Sequence, residues 1–286
     1  MIRILPLAAA LLCAGLPGLL SAQSTSIRTY TQSQTGEGLI PLGYPVPQPV
    51  ASLTPVDGFR DYASLDARLR LLEADSADLS GHDVGQTRNG RVVRAYVVSD
   101  SDAVDVEGRA EAAFFINGGI HAREWGTPEV STYLVERMVE GADDQGLVRY
   151  LLDNTRLVII PVNNVDGFQQ TQRFHDRVIV GQDPRVPNDW PRDGRMRRKN
   201  MPGVDENLES FGDHLLGVDL NRNHPPFWGT TTQGGSLTNP NDLTYRGTAA
   251  HSEPESQPHH HPPHHPPPTP HPNPHHHHTN PPVFFS

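Results

Sequence analysis

The stretch Ala112–Glu129, AAFFINGGIHAREWGTPE, decides the fold. Ala112–Ile116 is a short apolar run with the character of a buried strand. It breaks at Asn117-Gly118-Gly119, presents His121 and Glu124, and passes through Thr127-Pro128 into a helical pattern. A strand that ends in a glycine turn and leads into a helix is where α/β proteins place their chemistry. A His and a Glu three residues apart lie on the same side of a helical turn, so both can reach one cation. Alone, that spacing also describes a solvated loop histidine beside a first-turn Glu favoured by the helix dipole.

Outward from this stretch, strands alternate with helices. A helical pattern carries Tyr62, Leu65, Leu69 and Leu72 at three- and four-residue steps. Segments Asp83–Thr87 and Arg91–Val98 read as a hairpin with Asn89-Gly90 as its two-residue turn. After the central strand, Thr127–Glu140 reads as a helix with Val130, Tyr133, Leu134, Arg137 and Met138 as its stripe. A helix over Gln145–Asp153 precedes a fully apolar strand, Arg156–Val162. Such a run suits a strand covered on both faces, and the alternation predicts a sheet with helices on both sides. Asn163–Gly167 reads as a turn cluster, Gln169–Phe211 as long surface loops, and Gly217–Asn221 as a short strand-like run.

The flanks differ in character. Met1–Ala22 has the charged start, apolar core and small-residue site of a secretory signal, which predicts a secreted or periplasmic protein. The one cysteine, Cys13, lies within it, so the mature chain has no thiol chemistry. Residues 23–58 read as a linker or arm rich in Ser, Thr, Gln, Pro and Gly. Residues 59–256 form the folded domain. From 257 to 286 the chain holds ten histidines and eleven prolines, through which no helix or strand can be written. No run is long and apolar enough to span a membrane. A formal net charge of −10 argues against nucleic acid as a partner, and Arg195–Lys199 is the one short basic cluster. Nothing in the sequence specifies an oligomeric state.

Five islands in order, GIHAREW, VNNVDGF, RMRRKN, GVDLNRN and YRG with SEPE, resemble the zinc carboxypeptidase family over about Phe59–Glu255. The resemblance implies an α/β fold with a mixed sheet flanked by helices, incomplete at its C-terminal side. It implies a zinc ion bound by His121 and Glu124, and hydrolysis of the C-terminal bond of a peptide by a zinc-activated water. It implies that Arg198 holds the scissile carbonyl oxygen, that Asn221 and Arg222 grip the substrate carboxylate, and that Arg123 lies along the peptide groove. Taken singly, Arg198 reads as one of several solvated charges, Asn221 as a turn residue and Arg222 as a surface ion-pair partner. His175, His214, His224 and His251 read as loop histidines.

The family's third zinc ligand, mobile tyrosine and general-base Glu follow the SEPE segment, where this chain turns into its His/Pro-rich tail. A shifted frame or a shortened gene accounts for that change, and weak or no catalysis is the expectation. Exposed apolar faces on Ala112–Ile116 and Leu157–Val162, with poor stability, are expected as well. The alternatives are an exported metal-binding protein that uses the tail, and a hydrolase of cell-wall peptides within the same family.

Overall fold

The computed structural model describes residues 38–41, 59–259 apart from 101, 142–145, 176, 181–191, 209, 211, 227 and 231–235, and 283–285. The expected signal segment 1–22 and most of the linker and tail lie outside the described residues. No described helix is long and apolar enough to cross a membrane.

The elements run β1 (Gly38–Pro41), α1 (Tyr62–Asp75), β2 (Leu79–Gln86), β3 (Val92–Val98), β4 (Ala112–Asn117), α2 (Gly126–Glu140), α3 (Leu147–Leu152), β5 (Thr155–Ile160), α4 (Val165–Arg173), β6 (Arg177–Val180) and β7 (Val283–Phe285). The main sheet has the order β2-β3-β5-β4-β7. β2 pairs antiparallel with β3 and β3 with β5, whereas β4 runs parallel to β5 and to β7. The sheet is therefore mixed, as the family resemblance implies. β1 and β6 form a separate antiparallel pair.

Side chains alternate along β3 and β5. Val93, Ala95, Val97, Val158 and Ile160 face one core with Leu65, Phe115, Trp125 and Phe168. Tyr96, Val98 and Ile159 face the other with Leu69, Leu72, Val135, Met138 and Leu152. Both faces are covered, which is why β5 runs on as an unbroken apolar stretch from Leu157. α1 starts where the Asp61 carboxylate accepts the Ser64 N–H at 2.7 Å, and it buries Leu65, Leu69 and Leu72.

Several sequence expectations need correction. The hairpin loop holds three residues, not two: Thr87 N–H bonds Arg91 O at 2.8 Å, Gly90 N–H bonds Thr87 O at 3.0 Å, and Gly90 takes φ 80°. The buried face of α2 is shifted: Met138 is buried as expected, but Ser131, Thr132 and Val135 join it, while Val130 and Tyr133 are 69% and 60% exposed. The Asn163–Gly167 cluster is the first turn of a helix: the Asn164 side chain caps it by accepting Gly167 N–H at 3.1 Å, so regular structure continues to Arg173. Gly217–Asn221 forms no strand; Gly217 takes φ 99° and Leu220–Arg222 close a 3₁₀ turn. Within the expected linker and tail, Gly38–Pro41 and Val283–Phe285 form strands. The apolar residues of β4 beyond Ala112, and those of β5, are buried or half-buried. The expected exposed apolar faces are therefore not present on these two strands.

Candidate metal centre

The site lies at the C-terminal ends of the parallel strands β4 and β5. Two loops leave there and are stitched together: Gly118 N–H bonds Ile160 O at 2.7 Å, Asn163 N–H bonds Gly118 O at 3.0 Å and Asn164 N–H bonds Gly119 O at 3.0 Å. Gly118 has to be glycine, since a Cβ would stand 2.5 Å from Pro161 O and 2.6 Å from Ser131 Oγ. Two successive tight turns follow. Glu124 N–H bonds His121 O and Thr127 N–H bonds Glu124 O, each at 3.1 Å. They put the His121 and Glu124 side chains together.

His121 is buried and its two ring nitrogens have different partners. Nε2 meets Asp219 Oδ1 at 3.1 Å, and Nδ1 faces both Glu124 carboxylate oxygens at 3.1 Å. Both ring nitrogens thus face carboxylate oxygens, and a neutral imidazole carries one proton for the two; with that proton shared between Nε2 and Asp219, Nδ1 is an acceptor aimed at two acceptor oxygens. Such a contact needs a proton or a cation between its members. Two ligands of a tetrahedral zinc, each about 2.0 Å from the ion, stand about 3.3 Å apart. The donor set of His121 and Glu124 fits a zinc ion on this count.

Asp219 is the hub of the cluster. Its Oδ1 also accepts Asn221 N–H at 3.0 Å, and its Oδ2 accepts Arg198 Nε and Nη2 at 3.1 and 2.8 Å. Arg198 Nη1 stands 3.9 Å from Glu124 Oε1. Burial pushes the Asp219 pKa up, but His121 and Arg198 outweigh it and hold the carboxyl below its usual range. Burial likewise opposes the charged His121, yet Asp219 and Glu124 raise its pKa. The His121 bond is the main cause that lowers Glu124. Burial first, then the nearby Arg198 charge, lowers the half-buried Arg123.

Of the residues singled out from sequence, His121, Glu124 and Arg198 thus meet around Asp219, with Arg123 in their field. Asn221 and Arg222 join through the 3₁₀ turn that Asp219 caps, Arg222 N–H bonding Asp219 O at 2.9 Å. The Arg222 guanidinium donates to Asn221 O at 2.9 Å. Asp219 itself escaped the sequence reading. Its signal was an acidic residue inside an apolar run, two positions before Asn221, which has to be paired if buried.

The basic cluster is not solvated. Arg197 is fully buried and donates to the carbonyls of Lys199, Asn200, Asp213 and Leu216. Lys199 Nζ donates to those of Leu215, Pro240 and Asp242 at 2.7, 2.8 and 3.1 Å. Burial pushes the Lys199 pKa down to about 7, with Arg197 and Arg192 contributing. His214 is buried and half-buried His224 and His251 meet edge to face, with ring centroids 5.7 Å apart. Among the described residues, the one set of three metal-type ligands within mutual reach is Asp100, Asp102 and Glu111. It lies before β4, at the opposite end from His121.

The profile of the zinc carboxypeptidase family matches residues 65–259. Carboxypeptidase B of Canis lupus familiaris is 26% identical over 199 residues, covering 69% of this chain and 40% of the relative. Carboxypeptidase O of Homo sapiens is 30% identical over 149 residues, covering 52% of this chain and 32% of the relative. The crystal structure of carboxypeptidase A from Helicoverpa armigera superposes with a TM-score of 0.52 at 25% identity, covering 73% of this chain and 44% of that one. The chain spans well under half the length of these relatives.

Proposed function

Since this chain belongs to the zinc carboxypeptidase family, we propose that it is a metallocarboxypeptidase that hydrolyses the C-terminal bond of peptides, with His121 and Glu124 as two of its zinc ligands. The reading rests above all on His121 Nδ1 facing the Glu124 carboxylate at 3.1 Å while Nε2 is committed to Asp219. When bound, zinc lowers the pKa of a coordinated water toward neutrality and polarises a carbonyl.

The protein's own residues supply the rest. Asp219 fixes the His121 tautomer and ring direction, as outer partners of metal-bound histidines do. Arg198 spends Nε and Nη2 on Asp219 and turns Nη1 toward Glu124, where it receives the carbonyl oxygen as charge develops. Asn221 and Arg222, carried by the turn that Asp219 caps, hold the terminal carboxylate of the substrate. Arg123 lies along the peptide groove, its cation kept near Arg198. The cluster brings several guanidinium groups together, which suits an anionic chain terminus. Export through a signal at residues 1–22 belongs to the same reading.

Catalysis by this chain is slow in this reading. Among the described residues no third imidazole or carboxylate joins His121 and Glu124 in a set of three. The test is release of the last residue from a chromogenic peptide, with zinc added and then removed by a chelator. Chelator-sensitive release that disappears in His121→Ala and Glu124→Ala is expected. Release insensitive to chelator, or none from the zinc-loaded chain, defeats the proposal.

A further inference from the structure

The residues between the two ligands, Ala122 and Arg123, are held from opposite sides. From α4, the Thr171 hydroxyl lies 3.2 Å from Ala122 O and accepts the Trp125 indole N–H at 2.7 Å. From the loop after β6, Ala122 N–H bonds Arg198 O at 3.4 Å and Arg195 Nη1 donates to Arg123 O at 3.1 Å. The Arg195 guanidinium carbon also stands 3.6 Å from the centre of the Trp125 ring. Trp125 is buried and is the residue immediately after Glu124. One planar group thus covers the indole face and pins the preceding carbonyl. Because a peptide unit is planar, fixing Arg123 O also fixes the direction in which the chain enters Glu124.

We infer that Arg195 is a positioning residue for the metal: stacked on Trp125 and bonded to the Arg123 carbonyl, it holds Glu124 at its spacing from His121. The inference rests on the metal reading of His121 and Glu124. Arg197, two residues on, is the contrast. It is fully buried in backbone carbonyls and mounts its own segment, whereas Arg195 is half-buried and spans to the metal loop. Lysine is not an equivalent at position 195, since an ammonium carries charge but neither stacks flat nor donates in the plane of the stack.

The test is zinc uptake by the full chain in competition with a chromogenic chelator. His121→Ala supplies the background bound by the histidine-rich tail. Arg195→Ala is expected to weaken the His121-dependent uptake about 10- to 100-fold, the range seen when outer partners of metal ligands are removed. Arg195→Lys is expected to be weakened as well, although it keeps the charge. The indole emission of both metal-free variants should shift, while their thermal unfolding stays cooperative. Wild-type zinc affinity in Arg195→Ala overturns the inference. So does full recovery in Arg195→Lys, which would make charge alone the cause. Loss of folding in both variants makes Arg195 a structural residue and overturns it too. Uptake that is the same in wild type and His121→Ala instead removes the metal reading, and the role of Arg195 with it.

Discussion

Asp219 and His121, 98 residues apart in sequence, meet as a buried pair with Nε2 3.1 Å from Oδ1. The same carboxylate also receives two Arg198 nitrogens and the Asn221 N–H, so its four bonds join the His121 loop, the Arg198 loop and the turn that carries Asn221. Asp219→Asn keeps the shape and removes the charge. It is expected to lower zinc affinity about 10-fold or more, measured by chelator competition. Asp219→Ala leaves Arg198 without this partner and should cost about 3 kcal/mol in urea unfolding. An Asp219→Ala protein as stable as wild type would contradict the hub.

Under the proposed function, Arg198 acts on the reaction rather than on the metal. Arg198→Lys keeps a cation but loses the fork that grips Asp219. A fall in kcat/KM of about 100-fold is expected, in line with the loss of one donor to a developing oxyanion. Zinc uptake should stay close to wild type. Equal loss of both would assign Arg198 to metal binding instead.

Gly118 sits where the end of β4 and the loop after β5 approach closely. A methyl group there meets the Pro161 carbonyl at 2.5 Å, and backbone cannot swing away as a flexible side chain can. Gly118→Ala is expected to destabilise by about 2 kcal/mol, the scale of an overpacked core. The urea midpoint of the metal-free protein measures it. An unchanged midpoint would mean that the two loops do not approach as described.

Glu111 gives the fold a pH dependence away from the site. Burial, with Asp100 and Asp102 adding to it, pushes its pKa up to about 7, against the opposing bond from Ser99. The folded state therefore binds a proton that the unfolded state releases from about pH 4.5 upward. Stability from this group is present at low pH and is lost as pH rises from about 4.5 to about 7. Glu111→Gln should flatten that decline, raising the thermal midpoint at pH 8 but not at pH 4. A variant whose midpoint follows wild type across the range would show that Glu111 titrates normally.

Much of the fold was legible because it rests on local periodicity. Leu65, Leu69 and Leu72 repeat at helical spacing and are buried on α1. The apolar runs of β4 and β5 mark central strands, and the glycines after β4 mark the loop that carries His121 and Glu124. Where neighbours in space overrule neighbours in sequence, the reading failed. Val130 and Tyr133 fit a helical stripe, yet they are exposed and α2 buries Val135 beside the expected Met138. The Asn163–Gly167 cluster has turn composition, yet its second Asn caps a helix. Arg197 and Lys199 look like surface charges, yet carbonyls from loops up to 43 residues away surround them.

The sequence by itself determined the strand–turn–helix units and the His–Glu pair three residues apart, because turns, caps and apolar periods act between residues a few bonds from one another. The tertiary structure alone decided that Asp219 stands behind His121, that Arg198 reaches the same carboxylate, and that Arg195 lies flat on Trp125. Those contacts join segments 21 to 98 residues apart or bridge separate loops. Only burial, by removing water as the competing partner, makes a carboxylate, an imidazole and a guanidinium choose each other.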